Sequence, residues 1–219
     1  MARDKNSFIA ANRLDGDAAL LISHIADMMK ICEKSFSPRF SGFLSESESV
    51  AAEKFLAYMG TGEYRFFGGY EGAQRLMLCV YPEYCQPEEG DFPLRVIRFD
   101  SRGAPSLTHR DYLGSLMSLG IERSRTGDIV CDENGAYAVL CPEAADMAVM
   151  SLTKIGRVGV KVRFADGETV AREDKFSEMT ATVASLRLDC IVAAAVRVSR
   201  EKAAVLIRSG SVSVNHGIT

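Results

Sequence analysis

The stretch Leu94-Arg95-Val96-Ile97-Arg98-Phe99 decides the fold, because it starts a regular series of strand and helix patterns that runs to residue 165. It is rich in branched and aromatic side chains, which is typical of a strand. Helices are predicted over 108–119 and 143–153, and further strands over 129–131, 137–140 and 158–164. The resulting order βαββαβ predicts a ferredoxin-like domain. RNA-recognition motifs have this order, but so do many enzymes and regulatory domains, so the order alone assigns no function.

Two polar segments border this unit and predict the domain boundaries. Residues 82–93 combine three prolines with a glycine and acidic residues, and residues 166–177 are polar and charged. Both compositions are typical of linkers. We therefore predict an α+β protein with an N-terminal α/β domain over 1–81, a linker over 82–93, the βαββαβ domain over 94–165, a linker over 166–182 and a C-terminal two-helix-plus-strand domain over 183–219.

A glycine cluster, Gly68-Gly69-Tyr70-Glu71-Gly72, stands out in the N-terminal domain. Around it the patterns predict a helix from Asp17, a break over 35–42, a helix over 46–59, and strands over 64–67 and 75–80. The cluster could form a turn or a phosphate cradle. It lacks both the GxGxxG spacing and the P-loop lysine, so we interpret its members as turn glycines.

The C-terminal domain combines two short helical patterns with a concentration of positive charge. The helices are predicted over 185–196 and 200–209, with Ser199 as the cap of the second and a strand at Val212 and Val214 before a turn at 215–217. Arg197, Arg200, Lys202 and Arg208 lie at and beyond the helix junction. Cations beside a helix N-terminus favour phosphate binding, although a solvated helix face has a similar composition.

The charge distribution supports a nucleic-acid partner for the C-terminal third. The chain of 219 residues has a net charge of −3, but residues 1–150 carry 15 basic against 22 acidic side chains, whereas residues 151–219 carry 11 against 7. A charge split of this kind is a reason to expect nucleic acid at the basic part.

Several classes of protein are excluded by composition. With 47% hydrophobic and 25% charged residues, the chain is typical of a globular protein. No apolar run is long enough for a signal peptide or a membrane span, so we expect a cytoplasmic protein with no membrane partner. The six cysteines and three histidines have no spacing typical of a metal site or a disulfide framework, so we expect reduced thiols, no metal and no cofactor.

The C-terminal sequence resembles the RNA-binding domain named for the fourth small-subunit ribosomal protein. The similarity lies in Arg187-Leu188-Asp189, Ser199-Arg200-Glu201-Lys202-Ala203, Leu206-Ile207 and Gly210-Ser211-Val212-Ser213-Val214-Asn215. It implies that two helices and a small sheet bind structured RNA. The implied contacts are Arg187, Ser199, Arg200, Lys202, Arg208 and Asn215. Members of that family continue past the Val-Asn turn with further strands, so we expect an incomplete domain here.

Motifs elsewhere in the chain resemble the bacterial YlmH family. They are Phe67-Gly68-Gly69-Tyr70-Glu71-Gly72-Ala73, Leu107-Thr108-His109-Arg110-Asp111-Tyr112-Leu113-Gly114, Leu119-Gly120-Ile121-Glu122-Arg123, Gly127-Asp128-Ile129 and Lys154-Ile155-Gly156-Arg157. The resemblance implies a cytoplasmic protein that binds ribosomal or transfer RNA. It also implies association with the large ribosomal subunit, with ribosomal or quality-control proteins as partners, and a role in the rescue of stalled nascent chains.

Two alternatives remain open at this point. Arg187-Leu188-Asp189 is similar to the catalytic motif of pseudouridine synthases, in which the aspartate is the nucleophile. An apolar helical pattern follows Asp189 instead of an active-site loop, so we interpret it as a helix-end residue that pairs with a nearby arginine, and we expect no enzymatic activity. The second alternative is a protein-interaction scaffold linked to cell division, in which the acidic part meets a basic protein.

Overall fold

The computed structural model describes residues 3–101, 107–171, 178–214 and 217–218. Its helices are α1 (Lys5–Asn12), α2 (Gly16–Ser35), α3 (Glu46–Met59), α4 (His109–Ser118), α5 (Pro142–Ser151), α6 (Leu188–Val196) and α7 (Arg200–Arg208). Its strands are β1 (Arg39–Leu44), β2 (Tyr64–Phe67), β3 (Leu76–Val80), β4 (Arg95–Asp100), β5 (Thr126–Asp132), β6 (Gly135–Leu140), β7 (Lys154–Ile155), β8 (Val158–Gly159), β9 (Lys161–Phe164), β10 (Ser213–Val214) and β11 (Gly217–Ile218). This mixture of helices and antiparallel sheets confirms the α+β class. The chain divides into two compact units, residues 1–172 and residues 173–219.

The N-terminal part of the larger unit is a three-stranded antiparallel sheet of order β1-β3-β2, with helices packed on one face. Helix α3 has the predicted bounds because its ends carry local signals. Ser45 and Glu48 form a capping box at its start, and Gly60 ends it with φ +78°. The sequence patterns missed α1 and β1. Helix α2 ends at Ser35, as the predicted break over 35–42 requires, but residues 39–44 form a strand that pairs with β3.

The central part is a four-stranded antiparallel sheet of order β5-β6-β4-β9, which α4 and α5 cover on one face. Phe99 on β4 and Tyr112 on α4 meet in this core with ring centroids 5.2 Å apart. The predicted last strand, 158–164, is two elements in the structure. Its first two residues form a hairpin with β7, and only β9 joins the sheet, because the Val160 N–H donates to the carbonyl oxygen of Thr153 instead of to a strand.

The two sheets pack against each other and share a core. Phe43, Met77 and Cys79 of the N-terminal sheet contact Val139 on the other face of the central sheet. Phe92, in the segment predicted as a linker, is buried in the same cluster. The larger unit therefore has four layers, helix, sheet, sheet and helix, and the predicted N-terminal and central domains fold as one body.

The smaller unit consists of α6, α7 and a short hairpin. Val192 of α6 and Ala203 of α7 are its buried apolar side chains among the residues described. The sequence predicted a strand at Val212 and Val214 and no partner strand for it, whereas in the structure β10 pairs with β11 in an antiparallel hairpin. The predicted turn at Asn215 and His216 lies outside the described residues.

Candidate RNA-binding site

The junction of α6 and α7 is held by one carboxylate between two guanidinium groups. Arg187, the N-cap of α6, donates from Nε to Oδ1 of Asp189 at 3.1 Å, and Arg200 at the start of α7 donates from Nε to Oδ2 at 2.6 Å. These two hydrogen bonds, first that from Arg187 and then that from Arg200, lower the pKa of Asp189 to about 2. The aspartate therefore stays ionised at any physiological pH and ties the two helix starts together.

The two arginines nonetheless expose most of their side chains. Arg187 is 69% exposed and Arg200 is 58% exposed, whereas Asp189 is only 15% exposed. The carboxylate thus lies beneath the guanidinium groups, whose outer N–H donors face solvent. A phosphate that approached this junction would meet donors before it met the negative charge.

The other predicted contacts have different environments. The Ser199 Oγ accepts a hydrogen bond from the Lys202 N–H at 3.3 Å, so this hydroxyl caps α7. The side chains of Lys202 and Arg208 are exposed and form no ion pair with any described residue. Arg197 ends α6 in the left-handed region with φ +55° and is also exposed. Asn215, the sixth predicted contact, lies outside the described residues.

Arg187 and Arg208 both line an open depression of about 390 Å³. Its lining is Arg187, Leu188, Asp189, Ala204, Ile207 and Arg208. The floor is apolar and the rim carries two arginines. This combination suits a ribose-phosphate group, because aliphatic carbons can contact the sugar while guanidinium groups bind the phosphate. Sequence reasoning found these cations but not that two of them share one counter-charge.

The loop that contains the glycine cluster binds a carboxylate of the chain itself, that of Asp128. The Asp128 carboxylate accepts from the Tyr70 hydroxyl at 2.7 Å, from the Gln74 N–H at 2.7 Å and from the Arg75 N–H at 3.1 Å. Gly69, with φ +95°, has no room for a side chain against Val139 of β6. The interpretation as turn glycines is therefore correct in its geometry, and the turn joins the two sheets through Asp128.

The face of the central sheet opposite its helices is not available for base stacking. RNA-recognition motifs stack bases on aromatic side chains of that face, but here Val96, Val130, Tyr137 and Val139 pack towards the N-terminal sheet. At its open end, Arg98 is buried, lies 4.4 Å from the centre of the Tyr137 ring and forms two hydrogen bonds with Asp132. The positive charge of Arg98 is thus already paired within the protein.

Within the described parts of the chain, no group of three or more His, Cys, Asp or Glu side chains has a geometry that could hold a metal ion. Likewise, no helix described by the structure is both long and apolar enough to cross a membrane.

Comparison with known proteins identifies the family of the chain, and the family model matches the central domain rather than the α6–α7 site. A family model described as a putative RNA-binding domain in YlmH matches residues 87–168. The ribosome-associated protein quality control protein P2 of Bacillus subtilis is 31% identical over 204 residues, which covers 91% of this chain and 78% of that protein. The solved structure of the cell division protein ylmH from Streptococcus pneumoniae superposes with a TM-score of 0.59 and 25% identity, over 69% of this chain and 93% of that one. The chain therefore belongs to the YlmH family.

Proposed function

We propose that this chain is a non-catalytic RNA-binding protein that contacts structured ribosomal or transfer RNA through the α6–α7 unit. The observation that carries the proposal is the set of exposed cations along α7, of which Lys202 in the first turn and Arg208 in the last turn have no counter-charge among the described residues. Exposed cations next to a capped helix N-terminus attract phosphate. The proposed unit is a domain of the type named for the fourth small-subunit ribosomal protein, in a chain that also contains a ferredoxin-like central domain.

The ribosome is the proposed place of action. A relative that is 31% identical is named for ribosome-associated quality control, and the matching family model is described as an RNA-binding domain. We propose that the chain acts in the cytoplasm on the large ribosomal subunit, together with ribosomal or quality-control proteins, in the rescue of stalled nascent chains. An RNA of fixed tertiary structure would satisfy both the cations of α7 and the apolar floor beside them.

A non-catalytic role is supported by the environment of Asp189. A pseudouridine synthase needs an aspartate that can attack a base, whereas both oxygens of Asp189 accept hydrogen bonds from arginines. A carboxylate whose lone pairs are engaged in this way is a weak nucleophile. We expect that the purified protein converts no uridine in ribosomal or transfer RNA to pseudouridine, and that Asp189→Asn changes no such activity. Pseudouridine formation that Asp189→Asn stops would refute the non-catalytic proposal.

The experiment that tests RNA binding is a charge reversal at the two cations that pair with no described residue, Lys202→Glu with Arg208→Glu. Arg200 is a poor choice, because its reversal would place a carboxylate against Asp189 and disturb the helix junction. The matched control is Lys30→Glu with Lys54→Glu, which removes the same charge from exposed positions on α2 and α3. Binding of purified 23S ribosomal RNA and of total transfer RNA is measured between 50 and 300 mM salt.

The expected result is a loss of affinity in the α7 variant alone. Each lost phosphate contact flattens the slope of log affinity against log salt by about 0.7 to 0.9, so two contacts change it by roughly 1.5. Circular dichroism must match the wild type in both variants. Equal affinity and equal slope in the α7 variant and the control would contradict the assignment of this surface.

A further inference from the structure

A second basic surface lies on the central domain, in an otherwise acidic part of the chain. From Met147 to Ala165 the sequence contains no Asp or Glu, and it contains Lys154, Arg157, Lys161 and Arg163. Residues 1–150, by contrast, carry a net charge of −7. This stretch includes the β7–β8 hairpin and the edge strand β9.

The hairpin is a rigid projection from the domain body. Ile155 on β7 is 1% exposed and belongs to the central core, so it anchors the hairpin. Gly156, with φ +58°, is the first of two turn residues, as a type II′ hairpin turn requires. A side-chain carbon built on Gly156 or on Gly159 would meet no atom within 4 Å, which shows that both face open space. Arg157 is therefore held at the tip of a fixed turn.

Among the residues that the structure describes, three cations of this surface have no counter-charge. Lys154, Arg157 and Lys161 are exposed and make no ion pair with any residue that the structure describes. Asp100 lies opposite Lys161 in the sheet register. Its carboxylate is already engaged by Arg98 and Arg163, which lie on the same face. Three cations thus remain available to a partner.

The chemistry of this surface fits an RNA backbone better than a protein. Ile155 and Val160 are buried and Val158 packs on the same core, so the hairpin itself offers charge without an exposed apolar anchor. The exposed apolar side chains of the stretch lie on α5 (Met147 and Met150) and at the end of β9 (Phe164). Protein interfaces depend on apolar or aromatic anchors, whereas phosphate contacts depend on exposed Lys and Arg. The base-stacking face of the same sheet is covered by the N-terminal sheet, so RNA that reaches this domain must bind at an edge or a hairpin.

We infer that Lys154, Arg157 and Lys161 form a second RNA-backbone contact, on the central domain and separate from the cations of α7. The inference rests on the proposed function and adds to it the residues through which the central domain would bind. It predicts that binding depends on phosphate and shape and carries no base selectivity of its own.

The test is the triple variant Lys154→Glu, Arg157→Glu and Lys161→Glu in the full chain, with purified 23S ribosomal RNA as the probe. The control with the same charge change is Lys30→Glu, Lys34→Glu and Lys54→Glu, all at exposed helix positions. We expect the hairpin variant to bind at least about tenfold more weakly at low salt, with a salt slope flatter by roughly 2 to 3, while the control stays close to wild type. A second measurement needs no variant: bound RNA should protect Lys154 and Lys161 of the wild type from acetylation, but not Lys30.

The outcomes separate the two proposals. Wild-type protein that binds no RNA refutes the proposed function and this inference together. If the wild-type protein binds RNA, the hairpin variant has unchanged affinity, and Lys154 and Lys161 are not protected, then the inference about the hairpin is refuted and the proposed function is not. If the hairpin variant keeps its affinity for RNA but fails to bind intact large ribosomal subunits, the surface binds a protein and the inference is wrong.

Discussion

Asp128 provides the most demanding test of how the larger unit is held together. Its carboxylate is 7% exposed and accepts hydrogen bonds from Tyr70, Gln74 and Arg75, which lie on the other sheet's loop. The Arg75 guanidinium donates to three backbone carbonyls nearby, and Arg123 donates to two. Asp128→Ala would remove the shared acceptor of the Tyr70, Gln74 and Arg75 hydrogen bonds, and with it a negative charge that acts on Arg75 together with Glu48.

The magnitude follows from the number and type of these bonds. A hydrogen bond to a charged group contributes about 1.5 to 3 kcal/mol, but neighbouring bonds do not add fully. Burial, and next the charge of Arg75, lower the pKa of Arg123 to about 10, and Asp128 partly offsets both effects. Removal of one partner from such a buried charge set costs about 3 to 5 kcal/mol. Asp128→Asn should cost less, about 1 to 3 kcal/mol, because the amide oxygen still accepts a bond.

Urea unfolding followed by circular dichroism measures the free energy of this loss, and thermal unfolding measures the shift in midpoint temperature. We expect Asp128→Ala to lower the unfolding midpoint temperature by roughly 6 to 20 °C. The amides of Gln74 and Arg75, which donate to Asp128, should lose hydrogen-exchange protection first. The matched control is Asp27→Ala, because the pair between Asp27 and Lys5 is exposed and contributes at most about 1 kcal/mol. A cost for Asp128→Ala as small as that of the control would refute the reasoning.

Three further predictions concern single positions. Gly135→Ala should cost at least about 3 kcal/mol in urea unfolding, because φ is +149° and the new carbon would lie 1.8 Å from a backbone oxygen of β4, so the strand must also move. Gly62→Ala, whose new carbon meets no atom within 4 Å, should be nearly neutral, and equal costs for the two variants would contradict this. Phe36→Gly should raise stability by roughly 1 kcal/mol, because exposed Phe36 has φ +53°; a loss of stability would contradict this. Arg187→Gln should raise the pKa of Asp189 from about 2 towards 3.9, as measured by carbon NMR titration. Because the pKa of Asp189 is depressed in the folded state, the stabilisation by this pair is present above pH 4 and disappears as the pH falls through 2. An unchanged pKa in the variant would contradict the pairing.

The sequence predicted elements whose signals are local. Helix α3 has its predicted bounds because a capping box and a C-terminal glycine lie within its own segment. Strand β1 was missed because Ser41 and Gly42 are typical of turns. Their place in a strand depends on β3 and on the close approach of Ser124, whose carbonyl oxygen would be 2.8 Å from a side-chain carbon at Gly42. No pattern within residues 39–44 contains that information.

The candidate site shows the same division between local and long-range information. Exposed Lys202 and Arg208 follow from composition and helix periodicity. The shared counter-charge of Arg187 and Arg200 does not, because Asp189 is two residues from one and eleven from the other, and only the turn between α6 and α7 brings all three together. The covering of the central sheet by the N-terminal sheet is likewise a tertiary fact. The sequence predicted the βαββαβ order of this domain but not that one face of its sheet would be closed to RNA.

Ultraviolet crosslinking in cells, followed by sequencing of the bound RNA, tests the central claim most directly. It compares the tagged wild-type chain with the Lys202→Glu, Arg208→Glu variant at equal expression. We predict that wild-type crosslinks concentrate at a few structured sites in large-subunit ribosomal RNA or in transfer RNA, and that the variant loses them. Crosslinks spread in proportion to RNA abundance, or retained in full by the variant, would contradict the claim that the α6–α7 unit binds structured ribosomal or transfer RNA.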